Sequence, residues 1–379
     1  MSTRPHERDD MKPSPRRPGR LTATRQLLHH RQIRDSVALA KPPGLRNSAL
    51  AGLQAALTVA IALPLVHLSP WPHLIGFASL GSLVALFGRG APERSRLRIL
   101  LYSALLQTGA VFVMSCAAWL GLSQPALLAL LALSCSVFAF LMTTAPFGPP
   151  GALIFAFAAG AAMGPVADFG AVLERSAATG LVSALACGIC ALTEMLRQPA
   201  ASAPSTTSPG HMLKLRLLAA GRLGIGAAAA AFACHAAGAS HPAWAALGAV
   251  AVMQGAHLHL TLHRSLQRMA GTVVGAMLVW LVLSQHPSVW TVVALLIALQ
   301  FATEVVIGAN YALGQIFVTP MALLMSHLAA PHGDSLAMPS ERVLDTLVGV
   351  VIGLGLAILF STLDDRQHLA RHHAERTTR

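Results

Sequence analysis

The sequence predicts an all-α polytopic membrane protein with about twelve transmembrane helices, arranged as two parallel six-helix repeats. Three observations predict this fold. Only 11% of the 379 residues are charged and 54% are hydrophobic, whereas a soluble chain of this length would expose far more charge. Apolar runs recur almost without pause after Arg46. Finally, several sequence landmarks of the first half return in the second half at a nearly constant offset along the chain.

The apolar runs divide the chain into five parts. A basic tail (1–46) precedes a first six-helix repeat (47–197), a flexible linker (198–215), a second six-helix repeat (216–362) and a C-terminal tail (363–379). Prolines interrupt two runs, which are therefore either continuous or broken within the membrane. The predicted spans are 47–67, 72–88, 99–120, 124–142, 150–165, 171–195, 217–237, 243–260, 269–285, 288–307, 311–329 and 342–361, with the prolines in 150–165 and 311–329.

The basic residues predict the orientation in the bilayer. Six spans in each half place 25 of the 27 Lys and Arg residues on one side, together with both termini, and leave Arg175 and Arg342 on the other. Basic loops face the cytoplasm, so both termini are predicted to be cytoplasmic. The tail holds eleven basic residues against four acids and no aromatic residue, which favours contact with anionic lipid over nucleic acid.

An internal repeat is indicated by landmarks that recur in the same order. Each half begins and ends on the same side, so the repeats would be parallel, with a substrate path near an axis along the membrane normal. The offsets between paired landmarks differ by only a few positions, as small loop insertions would produce. The pairs are Glu174-Arg175 with Glu341-Arg342, Arg98 with Arg268, Pro150 with Pro320, and Trp71 with Trp244.

One stretch, Arg264 to Gly275, joins two arginines to an apolar run. Gly271 and Gly275 are four residues apart, so on a helix they share a face and allow another backbone to approach closely. The stretch is therefore either a tightly packed helix with a basic anchor or a helix whose guanidinium groups receive an anion.

Three segments of the second half, Arg264–Gly275, Asn310–Pro320 and Arg342–Gly349, closely resemble the fusaric acid resistance (FUSC) family of aromatic acid exporters. The resemblance covers about residues 215–362. It implies a protein of the bacterial inner membrane that exports aromatic carboxylates, with a periplasmic adaptor or a homo-oligomer as possible assemblies. The first half departs from the pattern, since Leu101 and Tyr102 stand where the second half has Gly271 and Thr272.

Arginines are the first candidates for a substrate path, because the guanidinium fork matches a carboxylate. Arg98, Arg264 and Arg268 are expected at cytoplasmic span starts, and Arg175 and Arg342 at the opposite face. The alternatives are snorkelling at the interface for the former, and local pairing with Glu174, Glu341 or Asp345 for the latter.

Polar residues inside apolar runs are the second set of candidates. Asn310, Tyr311, Gln315 and Thr319 either line a substrate pocket or cap a broken helix before Pro320. Glu304 shares a helical face with Gln300 and is either a proton-coupling carboxylate or a helix-end acid held by Arg264 or Arg268. Asp345 is the second candidate for proton coupling.

Enzyme chemistry and bound cofactors are not indicated. The sequence lacks a P-loop, and no nucleophilic or paired-carboxylate arrangement stands out. The five cysteines lie in apolar runs and are expected to be buried thiols. His257, His259 and His263 are either a zinc site or a polar loop edge, and the latter is favoured.

The sequence therefore predicts export of small organic anions, aromatic carboxylates among them, driven by protons or by the membrane potential. Two alternatives remain open: a passive anion channel, and a membrane scaffold without cargo. The expected partners are the lipid bilayer, the anion, and an adaptor or a second copy of the chain.

Overall fold

The structure is a computed structural model that describes residues 45–143, 147–198, 209–254, 258–329, 336–362, 365–366 and 369, without the side chains of 209–212 and 259. These residues form α-helices and short 3₁₀ turns, with no strand among them. The helices are α1 (Leu45–Leu68), α2 (Ile75–Ser82), α3 (Glu93–Trp119), α4 (Gln124–Met142), α5 (Leu153–Ala161), α6 (Phe169–Leu192), α7 (Pro209–Ala236), α8 (Ala243–Met253), α9 (Leu258–Leu283), α10 (Val289–Val306), α11 (Tyr311–Ala329) and α12 (Met338–Leu359).

Twelve spans are expected, and nine of these twelve helices are by themselves long and apolar enough to cross a membrane. The other three, α2, α5 and α8, have 8, 9 and 11 residues. At 1.5 Å per residue, even α8 covers only about half of a hydrocarbon core of ~30 Å. A 3₁₀ turn, Leu83–Leu86, extends α2 by one turn before Gly88 adopts a positive φ. The two proline-interrupted runs differ: α5 is short, whereas α11 continues through Pro320.

Two helices begin earlier than the apolar runs indicate. The helix α9 begins at Leu258 rather than near 269, and α3 begins at Glu93 rather than near 99. Arginines of the predicted cytoplasmic loops therefore lie on helices. Arg268 is about three turns into α9, so its guanidinium lies inside the helix bundle instead of at a span start.

The helix pairs that pack closely recur between the two halves. The pairs α2–α6 and α3–α6 correspond in order to α8–α12 and α9–α12. Contacts between the halves also correspond, since α1 packs on α10 and α7 packs on α4. Within these pairs, Gly349 meets Ala245 and Gly353 meets Ala249, so α8 and α12 run parallel, as the alternating topology requires.

The glycine pair of α9 confirms its predicted role. A Cβ on Gly271 would lie 2.5 Å from the Gln315 side chain and 2.6 Å from the Ala312 carbonyl oxygen. One on Gly275 would lie 2.8 Å from the Ile316 carbonyl oxygen and from Thr319. The two glycines thus bring α9 and α11 into backbone contact and fix the separation of their polar side chains.

The N-terminal tail up to 44, most of the linker (199–208) and most of the C-terminal tail lie outside the described residues. All five cysteines are free, and Cys135, Cys187, Cys190 and Cys234 are buried as expected, with Cys116 half-buried.

Candidate functional site

A buried arginine on α9 faces two polar side chains of α11. Arg268 is 2% exposed, and its Nη1 donates to the Tyr311 hydroxyl at 3.2 Å and to Gln315 Oε1 at 3.4 Å. Its Nε is buried and has no hydrogen-bond partner among the described residues. The guanidinium of Arg268 is therefore buried between α9 and α11. Its hydrogen-bond partners among the described residues are neutral, and its Nε–H group is unpaired among them.

A second buried arginine lies on α12. Arg342 is 4% exposed, its guanidinium lies over the Trp244 ring at 5.3 Å, and its Nε and Nη1 lack hydrogen-bond partners among the described residues. Arg268 is close enough for the two charges to repel each other. Asp345, one turn further along α12, is also buried and contacts the thiol of Cys234. The second half thus contains a cluster of two guanidiniums and one carboxylate, which we call the arginine cluster.

The remaining polar residues of α11 have different roles. Asn310 caps the helix, since its Oδ1 accepts from the backbone N–H groups of Ala312 at 2.8 Å and Leu313 at 3.3 Å. Thr319 is 1% exposed and packs against Gly275. The structure therefore brings Tyr311 and Gln315, but not Asn310, to the guanidinium of Arg268.

The cation–π contact of Arg342 has a counterpart in the first half. Arg175 lies over the ring of Phe77 at 4.9 Å, and the two residues precede Arg342 and Trp244 by the same number of positions. Phe77, not Trp71, therefore makes the cation–π contact in the first half that Trp244 makes in the second. The two arginines differ in their partners, because Arg175 donates to the carbonyl oxygens of a loop at 3.2 and 2.6 Å. Arg175 is also only half-buried.

Other contacts next to these pairs recur as well. His73 contacts Glu174 at 3.2 Å, and His241 contacts Glu341 at 2.6 Å. The imidazole of His241 also stacks on the Trp244 ring, with centroids 4.4 Å apart. Close approaches between helix backbones recur at the same offset as the cation–π pairs. Gly81 lies against the carbonyl oxygen of Thr179, and Gly248 lies against the carbonyl oxygen of Thr346.

Of the arginines on α3, the structure buries Arg96 and leaves Arg98 exposed. Arg98 and Arg268 therefore differ in burial, because Arg98 faces outward on α3. Arg96 pairs through Nη1 with Glu194 and donates through Nη2 to Gln54 Oε1 at 2.8 Å. Burial raises the pKa of Glu194, but hydrogen bonds and charges from Arg197 and Arg96 outweigh burial and lower it overall.

Glu304 pairs with an arginine of the other half. Its carboxylate lies 2.9 Å from Arg89 Nη1, and the two side chains are 4% and 18% exposed. The expected partners, Arg264 and Arg268, are thus replaced by a residue of the loop after the first half's second helix. Gln300 shares the buried face of Glu304, as the spacing predicts, and both of its amide atoms lack partners among the described residues.

The histidine cluster cannot be assembled from the described residues. His257 and the side chain of His259 lie outside them, and no group of three metal-ligating side chains occurs in the part of the chain that the structure describes.

Sequence reasoning misses Arg89, Arg96, Glu194 and Gln54, which lie in the buried polar contacts of the first half. The sequence places Arg89 and Arg96 in a cytoplasmic loop, because the apolar run begins only at Ile99. Glycine supplies a usable signal. A Cβ on Gly52 would lie 3.0 Å from the Glu304 side chain, and Gly52 stands two positions before Gln54.

The helices and the buried charges define a multi-pass helical membrane protein. Residues 228–356 match the family described as fusaric acid resistance protein-like, which confirms the resemblance inferred from the three motifs of the second half. The matched segment includes the whole arginine cluster.

A curated relative is an uncharacterized membrane protein, YvaC, of Bacillus subtilis (strain 168). The two are 40% identical over 113 residues, which are 29% of this chain and 18% of YvaC. This chain thus aligns with less than a fifth of that relative. No solved structure matches the chain.

Proposed function

We propose that the protein is a transporter of the bacterial inner membrane that exports small organic anions, aromatic carboxylates among them, and that the arginine cluster binds the anion during passage. The observation that supports this function most directly is the pair Arg268 and Arg342. Both are buried, both retain unpaired guanidinium nitrogens among the described residues, and they repel each other. An anion between them would relieve the repulsion and satisfy those donors.

The ligand chemistry follows from the groups around the cluster. A carboxylate accepts two parallel hydrogen bonds from a guanidinium, and an aromatic residue, Tyr311 or Trp244, lies beside each of the two cations. Asp345 makes the cluster less positive, which favours a monoanion over a dianion.

The architecture that we propose has two parallel six-helix repeats around this cluster. The contacts that recur at one constant offset, with Phe77–Arg175 matching Trp244–Arg342, support a duplication. The halves would contribute unequally, because Arg175 is satisfied by loop carbonyl oxygens and Arg342 is not. Both termini are proposed to lie in the cytoplasm, from the distribution of Lys and Arg.

Coupling to protons is proposed for Asp345 rather than Glu304. Glu304 already forms an ion pair with Arg89, whereas no Lys, Arg or His of the described residues lies within ion-pair distance of Asp345. A proton on Asp345 would leave two cations to bind the anion, so binding of the proton and binding of the anion would be linked. A periplasmic adaptor or a homo-oligomer remains a prediction from the family.

Flux measurements in proteoliposomes test the proposal. Uptake of labelled 2-naphthoate would be compared for the wild type, Arg268→Gln and Arg342→Gln at matched reconstituted amounts, with Arg98→Gln as the control because Arg98 is exposed. Loss of a charge-assisted hydrogen bond should lower flux about tenfold or more in the first two variants and leave the control unchanged.

The same liposomes separate the alternatives. A proton-coupled carrier should respond to a pH gradient at zero potential, and Asp345→Asn should abolish that response. A reversal potential that ignores the pH gradient would instead identify a passive anion channel. Wild-type flux in both arginine variants would refute the role of the cluster and favour a scaffold without cargo.

A further inference from the structure

A cavity lies away from the arginine cluster, at the end of the bundle that is predicted to be cytoplasmic. It has a volume of about 490 Å³, within the range of small-molecule sites. The ends of α4, α8 and α12, the beginnings of α5 and α9 and the middle of α7 meet there. We infer that this cavity is a binding site for amphiphilic monoanions, where an anion from the cytoplasm binds before it reaches the arginine cluster.

The cavity exists because α8 is short. This helix has 11 residues and ends at Met253, whereas its neighbours α7 and α9 have 28 and 26 residues. The space beyond Met253 is therefore enclosed by the longer helices but not filled by α8. It also lies between the halves, since α4 and α5 of the first half form one wall.

The walls are apolar with one cation. Met142, Leu223, Met253 and Leu258 provide a hydrophobic surface, and methionine adapts to rings of different shape. Arg222 is on the wall, and no carboxylate of the described residues lies within ion-pair distance of it.

The carboxylate on the cavity wall, Asp365, has its hydrogen-bond donors on a neighbouring residue of the chain. Asp365 accepts from the backbone N–H and the hydroxyl of Thr362, at 2.9 and 2.8 Å. Gln254 is also on the wall, and its buried Nε2 lacks a hydrogen-bond partner among the described residues. Arg222 and Gln254 thus offer donors to one carboxylate, while the apolar wall accommodates its ring.

The single cation determines the ligand class. One guanidinium with one amide donor matches one carboxylate, and Asp365 on the cavity wall would repel a second negative charge. An anionic lipid headgroup has the same chemistry, because a phosphate also binds guanidinium and acyl chains would fit the apolar wall. The proposal commits to the soluble carboxylate, and it rests on the proposed export of organic anions.

Equilibrium binding of labelled 2-naphthoate to the purified full-length protein in detergent tests the site. Arg222→Gln and the cavity-filling Ala219→Phe should each weaken binding about tenfold or more, with Arg222→Lys restoring part of it. The matched control is Lys214→Gln, an exposed charge two turns earlier on α7. Neutral 2-naphthamide should not compete. Each variant is checked by thermal unfolding, and Ala219→Phe provides the test if Arg222→Gln does not fold.

Wild-type affinity in Arg222→Gln or Ala219→Phe, or absence of binding to the wild type, would overturn the inference. Nanodiscs with and without phosphatidylglycerol distinguish the lipid: complete displacement of naphthoate by that lipid would assign the cavity to a headgroup and also overturn it. The outcomes are separable from the proposed function. If naphthoate binding depends on Arg222 but no flux is measured, only the proposed export is refuted. If flux is measured and the cavity variants do not change it, only this site is refuted.

Discussion

Replacing Gly349 with alanine should separate α12 from α8 and disturb the arginine cluster. A Cβ built on Gly349 lies 2.1 Å from the carbonyl oxygen of Ala245 and 2.8 Å from its Cα and carbonyl carbon. Ordinary contact begins at 3.4 Å, and the obstructing atoms are backbone, so the helices must move apart by roughly 1 Å. Overpacking of this kind costs about 1–3 kcal/mol.

The same helix supplies the control. Gly355 has nothing within 4 Å of a built Cβ, so Gly355→Ala should stabilise α12 by about 0.5–1 kcal/mol through helix propensity. The difference between the two variants should therefore be about 1.5–4 kcal/mol, measured as the free energy of unfolding by SDS titration in mixed micelles. Gly349→Ala should also lower naphthoate flux, because Trp244 adjoins Ala245 and contacts Arg342. Equal stability of the two variants would refute the close approach.

Two further predictions concern the charges of the first half. Arg89→Gln should destabilise the protein by about 3–5 kcal/mol in thermal or SDS unfolding, because Glu304 would remain buried without its cation. The double variant Arg89→Gln with Glu304→Gln should recover part of that loss, and additive effects of the two substitutions would contradict a direct pair. For Glu194, whose pKa is lowered, the stabilising pairing is present above the ordinary carboxyl pKa of about 4.3 and is lost as the pH falls through the lower folded value. Between pH 7 and pH 3, the unfolding midpoint should therefore fall more for the wild type than for Glu194→Gln. An equal fall in the two proteins would contradict the stabilising role of the Glu194 carboxylate.

The helical fold could be predicted from the sequence because composition and apolar runs are strong signals in a membrane protein. The twelve predicted segments correspond to the twelve helices of the described residues, and Gly271 and Gly275 have the predicted close contacts. The starts of α3 and α9 are not evident in the sequence, because arginines and histidines within their first three turns lower the local hydropathy. The structure buries Arg96 and Arg268 on these helices, which begin before the apolar runs.

The candidate site could be predicted only in part. Arg268, Tyr311 and Gln315 belong to two motifs that the sequence singles out, and the structure brings them together because α9 and α11 are adjacent. The partner of Glu304 could not be predicted, because Arg89 comes from the other half and no local spacing indicates it. The sequence favours Arg98 over Arg96, because Arg98 stands at the same offset from Arg268 as Pro150 from Pro320, but the helical turn decides which arginine faces inward.

The packing of α1 on α10 has a consequence for biosynthesis. Gly52 contacts Phe301, so most of the chain must be synthesised between the first helix and its partner. At a synthesis rate of roughly 5–20 residues per second, this interval lasts on the order of 10–50 s. During that time the face of α1 around Gly52 has no native neighbour on α10 to cover it. Until α10 is made, the nascent first helix must therefore contact lipid or an insertion factor. Variants that weaken the packing of α1 on α10 should reduce the yield of assembled protein before they reduce the transport rate.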